Sequence, residues 1–250
     1  MNDLQRLLSE NYCHQFFLPI HQSTGEYDNF AAHYHNSFLS LLPSSRDSRI
    51  LDLGCGLGHF LYFLKKEGYG NHAGIDIGDE QIAYCREHVT HAVEVVTDAA
   101  SYLNAHPGEF DAVVSLDVLE HLDDEELLRV TRGIRNALKE DGRLIIKVPN
   151  AACISALMTR YGDLTHRRLF TEGSIRQLLR AVGFDEIDVR PHEKRHVPEF
   201  ASRFQRWRWQ AIDWYIRWTI RKFYEHVMEG AIPSVQTINL LVRATRRSHT

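Results

Sequence analysis

The run Ile50-Leu51-Asp52-Leu53-Gly54-Cys55-Gly56-Leu57-Gly58-His59-Phe60 constrains this chain more than any other segment. A short apolar strand pattern at residues 49–53 meets three glycines at alternate positions. Phe60, Leu61, Phe63 and Leu64 then recur at helical spacing. Glycine permits a tight turn and lets a ligand lie against bare backbone. Asp76 ends the next apolar run, 18 residues after Gly58. A carboxylate there can accept hydrogen bonds from both ribose hydroxyls of a nucleoside. The plainer reading is a turn and nothing more, but strand, loop, helix and downstream acid in that order favour a nucleoside site.

A dinucleotide-binding oxidoreductase uses similar physics and is the rival reading. Two details oppose it. The spacing here is G-x-G-x-G, whereas a pyrophosphate loop reads G-x-G-x-x-G. Asp52 also stands just before the loop, where it would repel an anionic pyrophosphate but attract a cationic ligand end.

The alternation continues. Strand patterns at 72–77, 92–96, 110–116 and 143–148 are interleaved with helix patterns at about 79–89, 100–105 and 123–138. Such alternation predicts a parallel sheet with helices on both faces, joined by right-handed crossovers. Residues 150–170 read as irregular. A helix at about 171–182 ends at Gly183, followed by a strand at 184–189. A final β-rich run, 235–243, carries Ile238, Leu240 and Val242 on one face. Two late strands joined by a long insertion suggest an antiparallel edge pair. The expected fold is therefore α/β and Rossmann-like, with seven strands, a mostly parallel sheet, an antiparallel last strand and a helical insertion before it. The expected parts are a helical lead-in or cap (1–45), a core (46–190), a Trp-rich helical insertion (191–232) and the strand completing the sheet (233–250).

Composition narrows the function. The 250 residues are 44% hydrophobic and 25% charged, with a formal net charge of -4. Bulk charge gives no electrostatic footprint for nucleic acid, and none is expected as a partner. The four cysteines, Cys13, Cys55, Cys85 and Cys153, show no C-x-x-C spacing. Unpaired thiols suit a reducing compartment. The N-terminal residues lack a basic and apolar leader pattern, and no apolar run reaches membrane-spanning length. The expected location is cytoplasmic, with membrane association left open. No ordered carboxylate set demands a metal, and none is expected.

With these segments placed, the chain resembles the class I methyltransferases that use S-adenosylmethionine (SAM). Asp52–Gly58 is similar to their first motif, and Gly74-Ile75-Asp76-Ile77 to the second, with Asp76 on the ribose. Thr97-Asp98-Ala99 resembles the segment whose acid reaches the adenine amino group. Phe110–Ser115 followed by Leu116-Asp117-Val118-Leu119-Glu120-His121-Leu122 resembles the strand that closes over the methionine part. Leu138–Leu144 resembles the family's K-P-G-G-x-L turn, although Glu140-Asp141 replaces Pro-Gly. The resemblance implies SAM as cofactor and S-adenosylhomocysteine as product. It implies cofactor contacts from Asp52, Leu53, Gly54, Cys55, Gly56, Gly58, Phe60, Asp76, Ile77, Gln81, Asp98, Ala99, Leu116, Asp117, Val118 and His121. Val148–Ala151, Arg160–His166, Phe170-Thr171-Glu172 and Gly183-Phe184 are similar to a branch associated with polysaccharide and other glycan biosynthesis, which implies O-methylation of a sugar or glycan precursor. Two other readings stay open: a small-molecule methyltransferase acting on a quinone, polyketide or amine, and a non-catalytic SAM-binding scaffold.

Methyl transfer from a sulfonium needs mainly positioning, because the leaving group is already activated. A hydroxyl acceptor gains from a general base, for which histidine is suited near neutral pH. His121 follows strand four, at the sheet end where open α/β folds bind ligands. His166 lies in the irregular segment after strand five, with Asp163 three residues before it to orient the ring or bind acceptor hydroxyls. The rival reading leaves His121 only closing the loop or touching cofactor. Arg160, Arg167 and Arg168 would clamp an anionic acceptor, or simply sit in solvent. Tyr27, Tyr34 and His35 are candidates to cap the cofactor from the lead-in.

All four tryptophans, Trp207, Trp209, Trp214 and Trp218, fall within one helical stretch. With Phe204, Ile212, Tyr215, Ile216 and Phe223 they cover a broad arc, opposite Arg203, Arg206, Asp213, Arg217 and Arg221. Three readings compete: burial against its own domain or a second subunit, a membrane-surface helix with arginines snorkelling, and an acceptor wall that stacks on sugars.

Overall fold

A computed structural model describes residues 24–192, 202–227 and 233–247. The expectations for residues 1–23, including Cys13, and for 193–201, 228–232 and 248–250 lie outside these. The sheet has seven strands: β1 (Ile50–Leu53), β2 (His72–Asp76), β3 (Val93–Val95), β4 (Phe110–Leu116), β5 (Leu138–Pro149), β6 (Asp185–His192) and β7 (Asn239–Thr245). Their order is β3-β2-β1-β4-β5-β7-β6. β1 to β5 pair in parallel, whereas β7 runs antiparallel to both β5 and β6. This is the Rossmann-like sheet expected from the sequence, with its order reversing between β1 and β4. That reversal opens a crevice at the carboxyl ends of these strands.

Eight helices accompany it among the described residues: α1 (Thr24–Phe38), α2 (His59–Lys66), α3 (Asp79–His88), α4 (Ala99–Ala105), α5 (Asp124–Ala137), α6 (Ala156–Gly162), α7 (Glu172–Ala181) and α8 (Arg203–Val227). The strands' two-residue period sorts their side chains between two cores. Leu51, Val113, Leu144, Ile146, Leu240 and Val242 meet α4, α5 and α7 through Leu103, Ile134, Ile175 and Leu179. Ile50, Ala112, Val114, Ile145 and Leu241 meet α1, α2 and α3 through Phe38, Phe60, Phe63 and Ile82. Asp52 falls in step with Ile50, so its carboxylate enters the second layer. Its neighbours on the other face are apolar.

Helix starts follow local chemistry. Asp123 accepts from the Glu126 N–H at 2.9 Å, and Glu126 returns the bond to the Asp123 N–H. Such a capping box pairs two otherwise orphaned donors. Three elements differ from the sequence reading. β5 begins at Leu138, because the turn at Asp141, in the left-handed region with φ 58°, is absorbed into the strand. Residues 150–170 contain the short helix α6. The last strand starts at Asn239, so Leu240 and Val242 are buried while Ile238 precedes it and is exposed.

The Trp-rich stretch forms the 25-residue helix α8. Phe204, Trp207, Trp214, Tyr215 and Trp218 are exposed, so the described part of its own domain does not cover them. Tyr224 is the exception: it is buried, and its hydroxyl donates to the Ala152 carbonyl at 2.5 Å. No helix among the described residues is long and apolar enough to cross a membrane.

Candidate active site

The glycine loop folds back on β2. The Gly54 and Cys55 N–H groups donate to the Ile75 carbonyl at 2.8 and 3.1 Å. Gly54, Gly56 and Gly58 all hold positive φ, at 79°, 51° and 84°. Space as well as φ excludes side chains here. A Cβ on Gly54 would lie 2.3 Å from Val118 Cγ2, and one on Gly58 would lie 2.4 Å from Cys85 Sγ. The loop is thus wedged between the end of β4 and α3.

Asp76 closes it. One carboxylate oxygen accepts the Gly56 N–H at 2.8 Å and the other the Gly78 N–H at 2.9 Å. Each oxygen keeps further acceptor capacity. Asp52 is 2% exposed, and burial followed by the nearby Asp76 charge pushes its carboxyl up to about 8. Two carboxylates crowded this way favour a cation between them. Leu53 and Cys55 are buried beside them, and Leu116 borders the same cleft half-buried.

Other residues expected at the cofactor are placed less directly. Phe60 is 3% exposed and packs edge-on against Tyr34 and Phe38, inside the core. Gln81 is buried over Gly78, where a Cβ would lie 1.9 Å from its Oε1. Ile77 is exposed. Asp98 caps α4, accepting from the Ser101 N–H at 3.1 Å, and pairs with Arg129 at 2.8 Å. The Ser101 and Arg129 bonds hold its carboxyl down near about 2. Ala99 is the first residue of α4. Asp117 takes a left-handed φ of 57° at the tip of β4 and pairs with Lys147. Val118 follows, against Gly54. Tyr27 donates to the Leu57 carbonyl at 2.8 Å and stacks on His59, so α1 is pinned over the loop. Tyr34 is buried close to Asp52 and Asp117, whose charges, after burial itself, raise its hydroxyl pKa. His35 instead faces Glu67 at 2.7 Å, in a mostly exposed pair on α1's outer side.

The second cluster joins residues 45 positions apart. The Arg167 N–H donates to the Glu120 carbonyl at 2.8 Å, docking the segment after α6 onto the turn at Leu119–His121. The His121 and His166 rings then stand 4.8 Å apart between centroids. Thr165 orders them. Its hydroxyl donates to Asp163 Oδ1 at 2.5 Å, so at 2.8 Å it must accept from His121 Nδ1–H. His166 Nδ1–H donates to the Thr159 carbonyl at 2.8 Å. Both rings are therefore set as the tautomer whose Nε2 carries the lone pair. Burial, then neighbouring His166, lowers the His121 pKa. Burial opposes the Asp163 charge, but the Thr165 hydroxyl and N–H hold its carboxyl below the ordinary range. Asp163 thus acts on His121 through Thr165, and its nearer approach to His166 Nε2 is 4.0 Å.

Sequence reasoning missed two residues here. Thr165 links Asp163 to His121, and the Thr-His pair at 165–166 was its only sequence signal. Glu120 is fully buried, and neither carboxylate oxygen has a hydrogen-bond partner. Its adjacency to His121 was the available clue. The proposed arginine clamp is mostly occupied elsewhere. Arg168 pairs with Asp124 at 2.7 Å and donates to the Leu122 carbonyl, while Arg160 lies over the Tyr161 ring. A separate depression lined by Arg180, Phe184 and Glu186 lies at the start of β6, the opposite end of the sheet from these groups.

Residues 25–189 match a family profile described as a methyltransferase domain. The chain belongs to this methyltransferase domain family. Among relatives, the ubiquinone biosynthesis O-methyltransferase of Yersinia enterocolitica is 27% identical over 160 residues, 60% of this chain and 64% of that protein. The malonyl-[acyl-carrier protein] O-methyltransferase of Pectobacterium atrosepticum is 35% identical over 85 residues, 32% of this chain and 33% of that protein. The chain thus spans just under two thirds of the length of the ubiquinone enzymes it matches. A SAM-dependent methyltransferase from Archaeoglobus fulgidus superposes with a TM-score of 0.65 at 21% identity, covering 88% of this chain and 94% of that one. Haemonchus contortus phosphoethanolamine N-methyltransferase 2, in complex with S-adenosyl-L-methionine, gives 0.58 at 18% identity, covering 96% and 60%.

Proposed function

We propose that this chain transfers the methyl group of SAM to a hydroxyl oxygen of a small-molecule acceptor. The carrying observations are the bare loop with Asp52 and Asp76 at the ends of β1 and β2, and the His121 and His166 rings 4.8 Å apart beyond the end of β4. The residues present suit SAM. Asp52 and Asp76 supply negative charge for its ammonium end and acceptors for its ribose hydroxyls, and Asp98 and Ala99 are the proposed adenine neighbours. When bound, SAM supplies a methyl group on an already activated sulfur.

The chain's own residues do the rest. Asp76 and the side-chain-free loop backbone fix the nucleoside. α1, held by Tyr27, roofs the loop and excludes water there. His166 and His121 present lone pairs where an acceptor hydroxyl gives up its proton, and Asp163 with Thr165 holds His121 in the required tautomer.

The names of the relatives, ubiquinone and malonyl-carrier O-methyltransferases, support the small-molecule acceptor over a sugar or glycan precursor. A non-catalytic scaffold accords less well with two imidazoles oriented by side-chain and backbone hydrogen bonds. The uncovered aromatic face of α8 is the surface proposed to meet a second subunit or a membrane surface. Co-sedimentation with acidic vesicles separates those two.

The test is calorimetric titration with SAM and S-adenosylhomocysteine, followed by an acceptor screen read by mass gain of one methyl. Both nucleosides should bind, and Asp76→Ala should abolish it. Absence of binding to the native chain removes the proposal.

A further inference from the structure

We infer that α8 docks this chain on the surface of an acidic lipid bilayer, lying flat with a stripe of tryptophans at headgroup depth. Trp207, Trp214 and Trp218 stand seven and four residues apart, so they share one side of the helix. All three are exposed, at 61%, 66% and 47%. At about 100° per residue, Arg203 and Arg221 border this stripe on one side, and Lys222 and Arg208 on the other. These four cations are exposed as well.

That arrangement suits the boundary between headgroups and acyl chains. The tryptophan ring is apolar while its N–H seeks an acceptor, so it settles where one end is dry and the other wet. Lysine and arginine lay their stems along apolar surface and keep the charge among the phosphates. The 25-residue helix is about 38 Å long. Its charged groups keep it out of the hydrocarbon, and no helix among the described residues is apolar enough to span a membrane. It therefore lies in the plane of the surface.

Charge selects the bilayer over a second copy. Residues 203–227 hold six lysines and arginines against Asp213 and Glu225, in a chain whose formal net charge is -4. A positive excess is thus concentrated on a helix whose aromatic side the described fold leaves uncovered. Two copies meeting through α8 would bring like charge together, whereas anionic headgroups neutralise it. Each lysine or arginine held near such a surface strengthens binding roughly fivefold.

The place of α8 in the fold accords with an added docking element. It lies outside residues 25–189, which match the methyltransferase profile. Its anchor among the described residues is Tyr224, whose hydroxyl donates to the Ala152 carbonyl just beyond the end of β5. α8 is thus tied to the carboxyl end of the sheet, the end that holds the crevice. Docking does not depend on the proposed methyl transfer.

All four tryptophans of the chain lie in α8, so their fluorescence reports on this helix alone. The full chain is mixed with vesicles of phosphatidylglycerol and phosphatidylcholine in equal parts, and with vesicles of phosphatidylcholine only. Emission should shift to the blue with the acidic vesicles. The chain should sediment with them about tenfold more tightly than with the neutral ones, and less tightly as salt is added. Arg208→Gln and Lys222→Gln should each weaken binding about fivefold, and Trp214→Ser about tenfold. Arg132→Gln, at an exposed cation on α5, should leave it unchanged. No blue shift with acidic vesicles, or equal binding by the native chain and the α8 variants, overturns the docking. Tryptophans already shielded from acrylamide before lipid is added overturn it too. The cover is then a second copy if light scattering gives a dimer, and the chain's own remaining residues if it gives a monomer. SAM titrations on the same samples keep the readings apart. SAM binding without vesicle binding removes the docking alone, and vesicle binding without SAM binding removes the methyltransferase reading alone.

Discussion

Gly54→Ala should destabilise the chain by two separable amounts. The residue holds φ 79°, where an added Cβ costs about 1–2 kcal/mol. That Cβ would also sit 2.3 Å from Val118 Cγ2, an overlap that nothing but movement can relieve. Overpacking of this kind costs about 1–3 kcal/mol. The sum, about 2–5 kcal/mol, corresponds to a melting-temperature loss of roughly 5–15 °C for a chain of this size. Val118→Ala removes the colliding methyl and leaves Val118 Cβ at 3.6 Å, an ordinary contact. The double variant should therefore regain the steric part and keep the conformational part. Urea midpoints for the native chain, both single variants and the double variant form a cycle that isolates the coupling. Gly70→Ala is the control: its φ is not positive and nothing lies within 4 Å, so it should change stability by no more than about 0.5 kcal/mol. Equal losses for Gly54→Ala with and without Val118→Ala would refute the wedge between loop and β4.

Three further outcomes are expected. Burial, with Lys147 and His33 adding to it, holds His192 down to about 4, whereas the unfolded residue takes its proton near about 6.5. The unfolded chain then binds more protons between these values, so stability falls as pH drops through that window, by on the order of 3 kcal/mol. His192→Gln should flatten the slope of melting temperature between pH 7 and pH 4, and an unchanged slope would count against it. Asp52 has the opposite sign: raised to about 8, its folded-state proton is lost as pH rises from about 4 through about 8, and stability falls with it. Asp52→Asn should be the more stable form at high pH while binding SAM more weakly, and a native-like melting profile would contradict that. Asp163→Asn should slow methyl transfer with SAM affinity kept, because it disturbs the hydrogen-bond chain to His121 and leaves the nucleoside loop intact. Loss of SAM affinity instead would place Asp163 in the wrong half of the cleft.

The alternation of apolar runs carried the sheet, and the reason is local. A two-residue period marks both faces of each strand, and the glycines at 54, 56 and 58 announce a backbone that side chains cannot adopt. Asp76 was legible because its distance from the loop follows from one crossover. Helix boundaries shifted by a residue or two, as capping at Asp123 and Thr171 decided where each helix began. The start of the last strand was illegible. Ile238 alternates correctly with Leu240 and Val242, but the pairing of β7 with β5 begins only opposite Pro149.

What the sequence determined by itself was therefore the strand–loop–helix unit and the acid, Asp76, that closes it, because neighbours along the chain make that geometry. The second cluster was decided by tertiary structure. His121 and His166 meet only because backbone bonds from Arg167 dock one loop on another, and their tautomers follow from Thr165 and Thr159 in the same fold. The empty hydrogen-bonding capacity of Glu120 exists only once the chain has closed over it. Sequence spacing records which residues are near along the chain, whereas burial and partner choice belong to the packed molecule.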